Sequence, residues 1–132
     1  METKDIKLYT TIKASPHQLY NAFMDAEVHS KFTGASAVID PKVGGEFKVW
    51  DGSLHGKTLE LQDDKKIVQE WRSDEDNWPE GVFSTLTLEF NNKFDGTTEI
   101  VLTQTGVPEA VAKDVEQGWE DYYWKPLKEY FK

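Results

Sequence analysis

From Asp5 to Lys13 apolar and polar positions alternate, with Ile6, Leu8, Thr10 and Ile12 on one side and Lys7, Tyr9, Thr11 and Lys13 on the other. A period of two marks a half-buried strand. The period then changes. Ser15-Pro16-His17-Gln18 has the form of a helix start, because a serine hydroxyl caps, proline suits the first helical position and Gln18 completes a capping box. Leu19, Tyr20 and Phe23 form the apolar face of that helix, which is expected to end near Asp25. Residues 26–31 form a second short helical segment ahead of Phe32-Thr33-Gly34.

The middle of the chain is a meander. Short β-rich runs cover residues 35–40, 45–50, 56–62, 66–72, 82–90 and 97–105. They are separated by turn-forming stretches: Pro41-Lys42-Val43-Gly44, Asp51-Gly52-Ser53, Asp63-Asp64-Lys65, and residues 73–81 and 91–96. No connection is long enough for a parallel crossover, so neighbouring strands pair antiparallel and, with the first, make a seven-stranded sheet. Phe47, Val49, Leu59, Leu61, Ile67, Leu86, Leu88, Ile100 and Leu102 are expected to face inward.

A helical period returns over residues 108–131, where Val111, Val115, Trp119, Tyr122, Pro126, Leu127 and Tyr130 recur at steps of three and four. At 1.5 Å per residue this segment spans about 36 Å, enough to cross a sheet. Acids early in it (Glu109, Asp114, Glu116) and lysines late (Lys125, Lys128, Lys132) complement the helix dipole. Pro126 removes one backbone donor and is expected to kink or end the helix.

Composition narrows the function. A chain of 132 residues supports one hydrophobic core, and hence one domain. A formal charge of -9 repels phosphate backbones and anionic lipid, which argues against nucleic acid and membrane surfaces as partners. The absence of cysteine excludes disulfides, thiolate metal sites and a thiol nucleophile, and accords with a cytoplasmic location. Residues 1–10 hold charges among few apolar residues and lack the apolar segment of a secretory leader.

The order of these elements, an α+β arrangement of strand, two short helices, six meandering strands and a long terminal helix, resembles the helix-grip architecture of the START and major-birch-pollen-allergen superfamily (SRPBCC). Within it the chain resembles the C-terminal-type domain of the heat shock protein 90 ATPase activator family. The stretches that carry the likeness are Ser15-Pro16 with Leu19-Tyr20 and Phe23, Val43-Gly44-Gly45-Glu46-Phe47, Asp51-Gly52 with Gly56, Ile67-Val68 with Trp71-Arg72, Trp78-Pro79-Glu80-Gly81, Gly106-Val107-Pro108, and Gln117-Gly118-Trp119 with Tyr122-Tyr123. The resemblance implies a curved sheet wrapped around the last helix, a hydrophobic cavity between them, a chaperone as protein partner, and a part in ATPase activation and stress response. In that family a further N-terminal domain carries much of the grip on the chaperone, so binding with at most weak stimulation is what this domain alone implies.

No catalytic constellation, metal site or cofactor motif is found, and the chain reads as a non-enzyme. His17, His29 and His55 lack metal-site spacing and are expected at the surface. Asp74-Glu75-Asp76 lacks the alternate spacing of a calcium loop and reads as a solvated tip. Val43-Gly44-Gly45 reads as a hairpin turn, and Arg72 as half of a structural ion pair. The aromatic residues are the remaining signal. Phe47, Val49, Leu86, Leu88, Val115, Trp119 and Tyr122 are the candidate cavity lining, where a small apolar or lipid-like molecule is the alternative partner. Tyr123, Trp124 and Phe131 lie off the helix stripe and either pack on the first helices or form an exposed patch; Trp78 in its loop faces the same choice. Trp50, Trp78, Tyr123 and Trp124 are therefore the candidate partner interface.

Overall fold

The computed structural model describes residues 2–132. Seven strands, β1 (Thr3–Ile12), β2 (Val38–Ile39), β3 (Glu46–Val49), β4 (Leu54–Gln62), β5 (Lys66–Ser73), β6 (Ser84–Asn92) and β7 (Thr98–Pro108), form one curved antiparallel sheet in the order β1-β7-β6-β5-β4-β3-β2. Between β1 and β2 lie α1 (Pro16–Met24) and α2 (Ala26–Thr33). The expected start of α1 is present in full: Ser15 Oγ accepts from the Gln18 amide, and Gln18 Oε1 accepts from the Ser15 amide. Asp25 caps α2 through bonds from Glu27 N and Val28 N, and Gly34, at a φ of 78°, closes it in the left-handed conformation that glycine adopts without penalty.

The alternating residues of β1 turn Ile6, Thr10 and Ile12 inward, and Ile6 and Ile12 share one core with Ile67, Leu86, Leu88, Ile100 and Leu102 from the central strands. The run expected over residues 35–40 contributes only a two-residue strand at the sheet edge. Leu59, expected inside, is 40% exposed, because the pairing of β4 with β5 slips between Thr58 and Glu60 and the bulge buries Thr58 instead. Leu61 is half-buried. A Cβ on Gly56 would overlap the Glu70 carbonyl and lie 3.2 Å from the Phe47 ring, so a glycine lets β3 and β5 pack closely around this point.

The terminal helical segment runs from Glu109 to Tyr130 as a 3₁₀ turn (Glu109–Val111), α3 (Ala112–Trp119), a π turn (Glu120–Trp124) and α4 (Lys125–Tyr130). Pro126 does not end it. The Lys125 amide donates to the Glu120 carbonyl, five residues back, so the turn widens just ahead of the proline and relieves the clash its ring makes with the carbonyl four residues earlier. The widened turn also resets the buried stripe. Buried positions step by four throughout, Val111, Val115, Trp119, Tyr123 and Leu127, whereas four residues of a regular helix overshoot a full turn by about 40°. The π turn absorbs that drift. Tyr123 and Trp124 consequently point inward, while Tyr122 (57% exposed) and Tyr130 (44%), expected on the core stripe, face out. No helix among the described residues is long and apolar enough to cross a membrane.

Candidate functional site

Where the end of β3 meets the helix, Trp50 and Asp51 both adopt positive φ, 53° and 59°, a conformation that costs ordinary residues about 1–2 kcal/mol each. A reciprocal pair of bonds holds the turn: the Ser36 amide donates to the Asp51 carboxylate at 2.9 Å, and the Asp51 amide donates to the Ser36 carbonyl at 3.2 Å. The turn sets the Trp50 ring edge-on to Tyr122 at 5.3 Å and to Tyr123 at 6.3 Å.

Beneath it lies a stack of aromatic rings. Trp119 packs on Trp71 of β5 (5.7 Å), Tyr123 (4.7 Å) and Trp124 (5.7 Å), and Tyr123 stacks on Phe23 of α1 at 5.6 Å. Trp119 Nε1 donates to Gln104 Oε1 (2.9 Å), Gln104 Nε2 to Ser84 Oγ (2.9 Å), and the Ser84 hydroxyl to the Trp71 carbonyl (2.7 Å). This satisfied buried chain ties the helix to β7, β6 and β5 in one network.

The residues expected to line an internal cavity are divided between two places. Phe47, Val49, Leu86 and Trp119 border a void of about 20 Å³, room for one water molecule. Leu88 is buried in the sheet core. Val115 and Tyr122 instead join Trp50, Trp71, Trp119 and Tyr123 along an open cleft of about 730 Å³ between the helix and the β3–β4 and β5–β6 connections. Its rim carries Asp74, Glu75, Asp114 and Asp121, and no lysine, arginine or histidine lines it among the described residues. Burial, and after it the charge of Asp114, raises the pKa of Glu75 above the usual carboxylate value.

Of the four expected interface aromatics, Trp50 alone is only half-buried. Trp78, Tyr123 and Trp124 are buried, for two reasons. The π turn directs Tyr123 and Trp124 inward, and the loop after β5 folds back so that Trp78 packs on Trp71 at 5.8 Å and donates from Nε1 to the Val82 carbonyl at 2.8 Å. Arg72 organises that loop. It is buried, donates to the Pro79 carbonyl at 2.7 Å and to those of Val82 and Trp78 at 3.4 and 3.5 Å, and lies 3.6 Å from Asp74 as the expected ion pair. An Arg72→Ala variant is expected to lose about 2–3 kcal/mol, since charged donors to buried carbonyls are the stronger hydrogen bonds. Hydrogen exchange checks the locality of the effect: amides of residues 74–83 should lose protection before the central strands do.

The histidines also divide. His17 is exposed beside Asp64 (2.8 Å), and His55 is half-buried against Asp74 (2.8 Å). His29, expected at the surface, is buried between α1 and the terminal helix, with Nδ1 3.2 Å from the Ala22 carbonyl and Nε2 3.0 Å from the Tyr123 hydroxyl. The sequence pattern missed this pair because it joins residues 94 apart. It also missed Trp71, Glu75 and Asp114 as cleft residues. The one local signal was the stripe Asp114, Gly118 and Asp121, which puts two acids beside the apolar face of the helix at steps of four and three.

The family profile described as Activator of Hsp90 ATPase homolog 1-like protein matches residues 13–132. The human Activator of 90 kDa heat shock protein ATPase homolog 1 is 37% identical over 129 residues, covering 98% of this chain and 37% of that protein. The corresponding homolog from Dictyostelium discoideum is 33% identical over 118 residues, covering 89% of this chain and 30% of that protein. The chain thus spans about a third of the length of the curated relatives it matches. Among solved structures, an HSP90 activator from Plasmodium falciparum superposes with a TM-score of 0.84 at 29% identity, covering 92% of this chain and 91% of that one. With the expected sheet, terminal helix and motif order all in place, the chain belongs to the Activator of Hsp90 ATPase homolog 1-like family.

Proposed function

We propose that this chain is a non-enzymatic, cytoplasmic module that binds an Hsp90-type chaperone and biases it toward its closed, ATP-hydrolysing state. The observation that carries the reading is the 37% identity to an activator of the 90 kDa heat shock protein ATPase, sustained over 98% of the chain. The filled interior supports a protein partner over a lipid-like ligand: a space of about 20 Å³ beneath the helix leaves an apolar molecule no room unless the Trp71, Trp119 and Tyr123 cluster moves. Binding alone does not activate. The module shifts the chaperone's equilibrium only by the difference between its affinities for the closed and open forms, and a tenfold shift requires about 1.4 kcal/mol of preference. Titration calorimetry with chaperone held closed by a non-hydrolysable nucleotide is expected to give a Kd of about 1–100 μM, tighter than for nucleotide-free chaperone. In a parallel ATPase assay the chain should stimulate weakly. The reading fails if no heat is released at several-fold higher chaperone concentrations.

A further inference from the structure

The acidic, aromatic cleft is a site of defined chemistry that the core does not need. Its floor is Trp71 and Trp119, one wall is Trp50 edge-on to Tyr122, and Glu75 and Asp114 reach its mouth from different elements, the loop after β5 and α3. Asp74 already faces Arg72 and His55, and Asp121 faces Lys125, but Glu75 and Asp114 have no cationic partner among the described residues. Two uncompensated carboxylates over indole and phenol rings favour a positive charge carried on an apolar body, because cation–π attraction and ion pairing act on the same group. The cleft's volume of about 730 Å³ exceeds what one basic side chain fills, and it is open to solvent along the helix, so a chain can run through it.

We propose that this cleft seats a basic residue flanked by apolar ones, in a segment of the protein partner, with the basic stem against Trp50 and Tyr122 and its charge between Glu75 and Asp114. The proposal rests on the chaperone-binding reading and names the part of the surface that does the recognising. Burial first, and the charge of Asp114 after it, disfavour the ionised form of Glu75, and a cation entering between the two carboxylates offsets the repulsion between them. Trp50 also meets Tyr123 of the buried stack at 6.3 Å, so the two carboxylates, which pack on no ring of the stack, are the positions to vary.

The test uses the full chain, labelled with ¹⁵N, and two tripeptides: acetyl-Leu-Arg-Phe-amide and its uncharged counterpart acetyl-Leu-Gln-Phe-amide. The arginine peptide should shift the Trp50 indole and Gly118 amide signals. The affinity of the arginine peptide for the wild-type chain should fall as salt rises, and the glutamine peptide, and the arginine peptide on the Glu75→Gln/Asp114→Asn variant, should each bind at least about tenfold more weakly. Equal binding of the two peptides, undiminished binding to the variant, or no shift at millimolar peptide overturns the proposal. Tetramethylammonium reproducing the shifts while both peptides stay inert overturns it too, in favour of a small organic cation. Calorimetry against the chaperone separates the two readings. If the wild-type chain and the double variant bind the chaperone equally, the cleft assignment falls and the proposed function stands; if the peptides behave as expected and neither protein binds chaperone, the proposed function falls and the cleft assignment stands.

Discussion

Alanine at Trp119 is expected to cost about 3–5 kcal/mol of unfolding free energy, the range for truncating a large buried aromatic. Small domains have only about 5–15 kcal/mol in total, so this one change removes a large share of what holds the fold. Two effects combine at this position. The ring contacts Trp71, Tyr123 and Trp124 and thereby couples the sheet to the helix, and its Nε1 donates to a Gln104 side chain that is itself fully buried. Phenylalanine separates them. Trp119→Phe keeps much of the packing but leaves Gln104 Oε1 without its donor, a penalty of about 1–3 kcal/mol. Tyr122→Ala, three residues away on the exposed side, should cost less than about 1 kcal/mol. Urea unfolding with an unchanged slope measures all three as shifts in midpoint. If the alanine variant lost no more than the Tyr122 control, the aromatic stack would not be what fastens the helix to the sheet.

The contrast between Trp119 and Tyr122 shows where the sequence is legible and where it is not. Strands announce themselves because alternation is a local property: Ile6, Thr10 and Ile12 face inward as their spacing requires. The capping box of α1 is equally local, since Ser15 and Gln18 need only each other. The terminal helix is legible as an element, but its inward face is not, because a uniform period of 3.6 has no place for the extra residue of a π turn. Two burials escaped because no periodic pattern encodes them, one set by a contact distant in sequence and one by the path of an irregular loop. His29 is covered by Tyr123, 94 residues on, and Trp78 by a loop that folds back on Arg72. The cleft is hardest to read, since it arises only when the Trp50 turn, the loop after β5 and the terminal helix close on one another.

His29 gives the second large effect, and its sign follows from its partners. The Ala22 carbonyl can only accept, so Nδ1 carries the proton, and Nε2 is left to accept from the Tyr123 hydroxyl. A charged imidazolium would have to present a second N–H to that hydroxyl inside the core. Burial therefore lowers the His29 pKa from 6.5 to about 4, against a smaller upward pull from the Ala22 carbonyl. The unfolded chain takes up this proton below about pH 6.5, while the native protein resists until about pH 4. The contribution of neutral His29 is thus complete above pH 6.5 and is lost as pH falls through that window, reaching about 3 kcal/mol near pH 4. The carboxylates add a background of their own, and the variant His29→Gln removes only the imidazole from it. That variant should be less stable at neutral pH yet lose less stability between pH 6.5 and 4, so the urea midpoints of the two proteins converge as the solution is acidified. Midpoints that fall in parallel would show that His29 titrates alike in both states. Because the Tyr123 hydroxyl meets His29 while its ring packs against Phe23, Trp119 and Trp50, the same acid step should first loosen the seat of α2 against the terminal helix, ahead of the sheet.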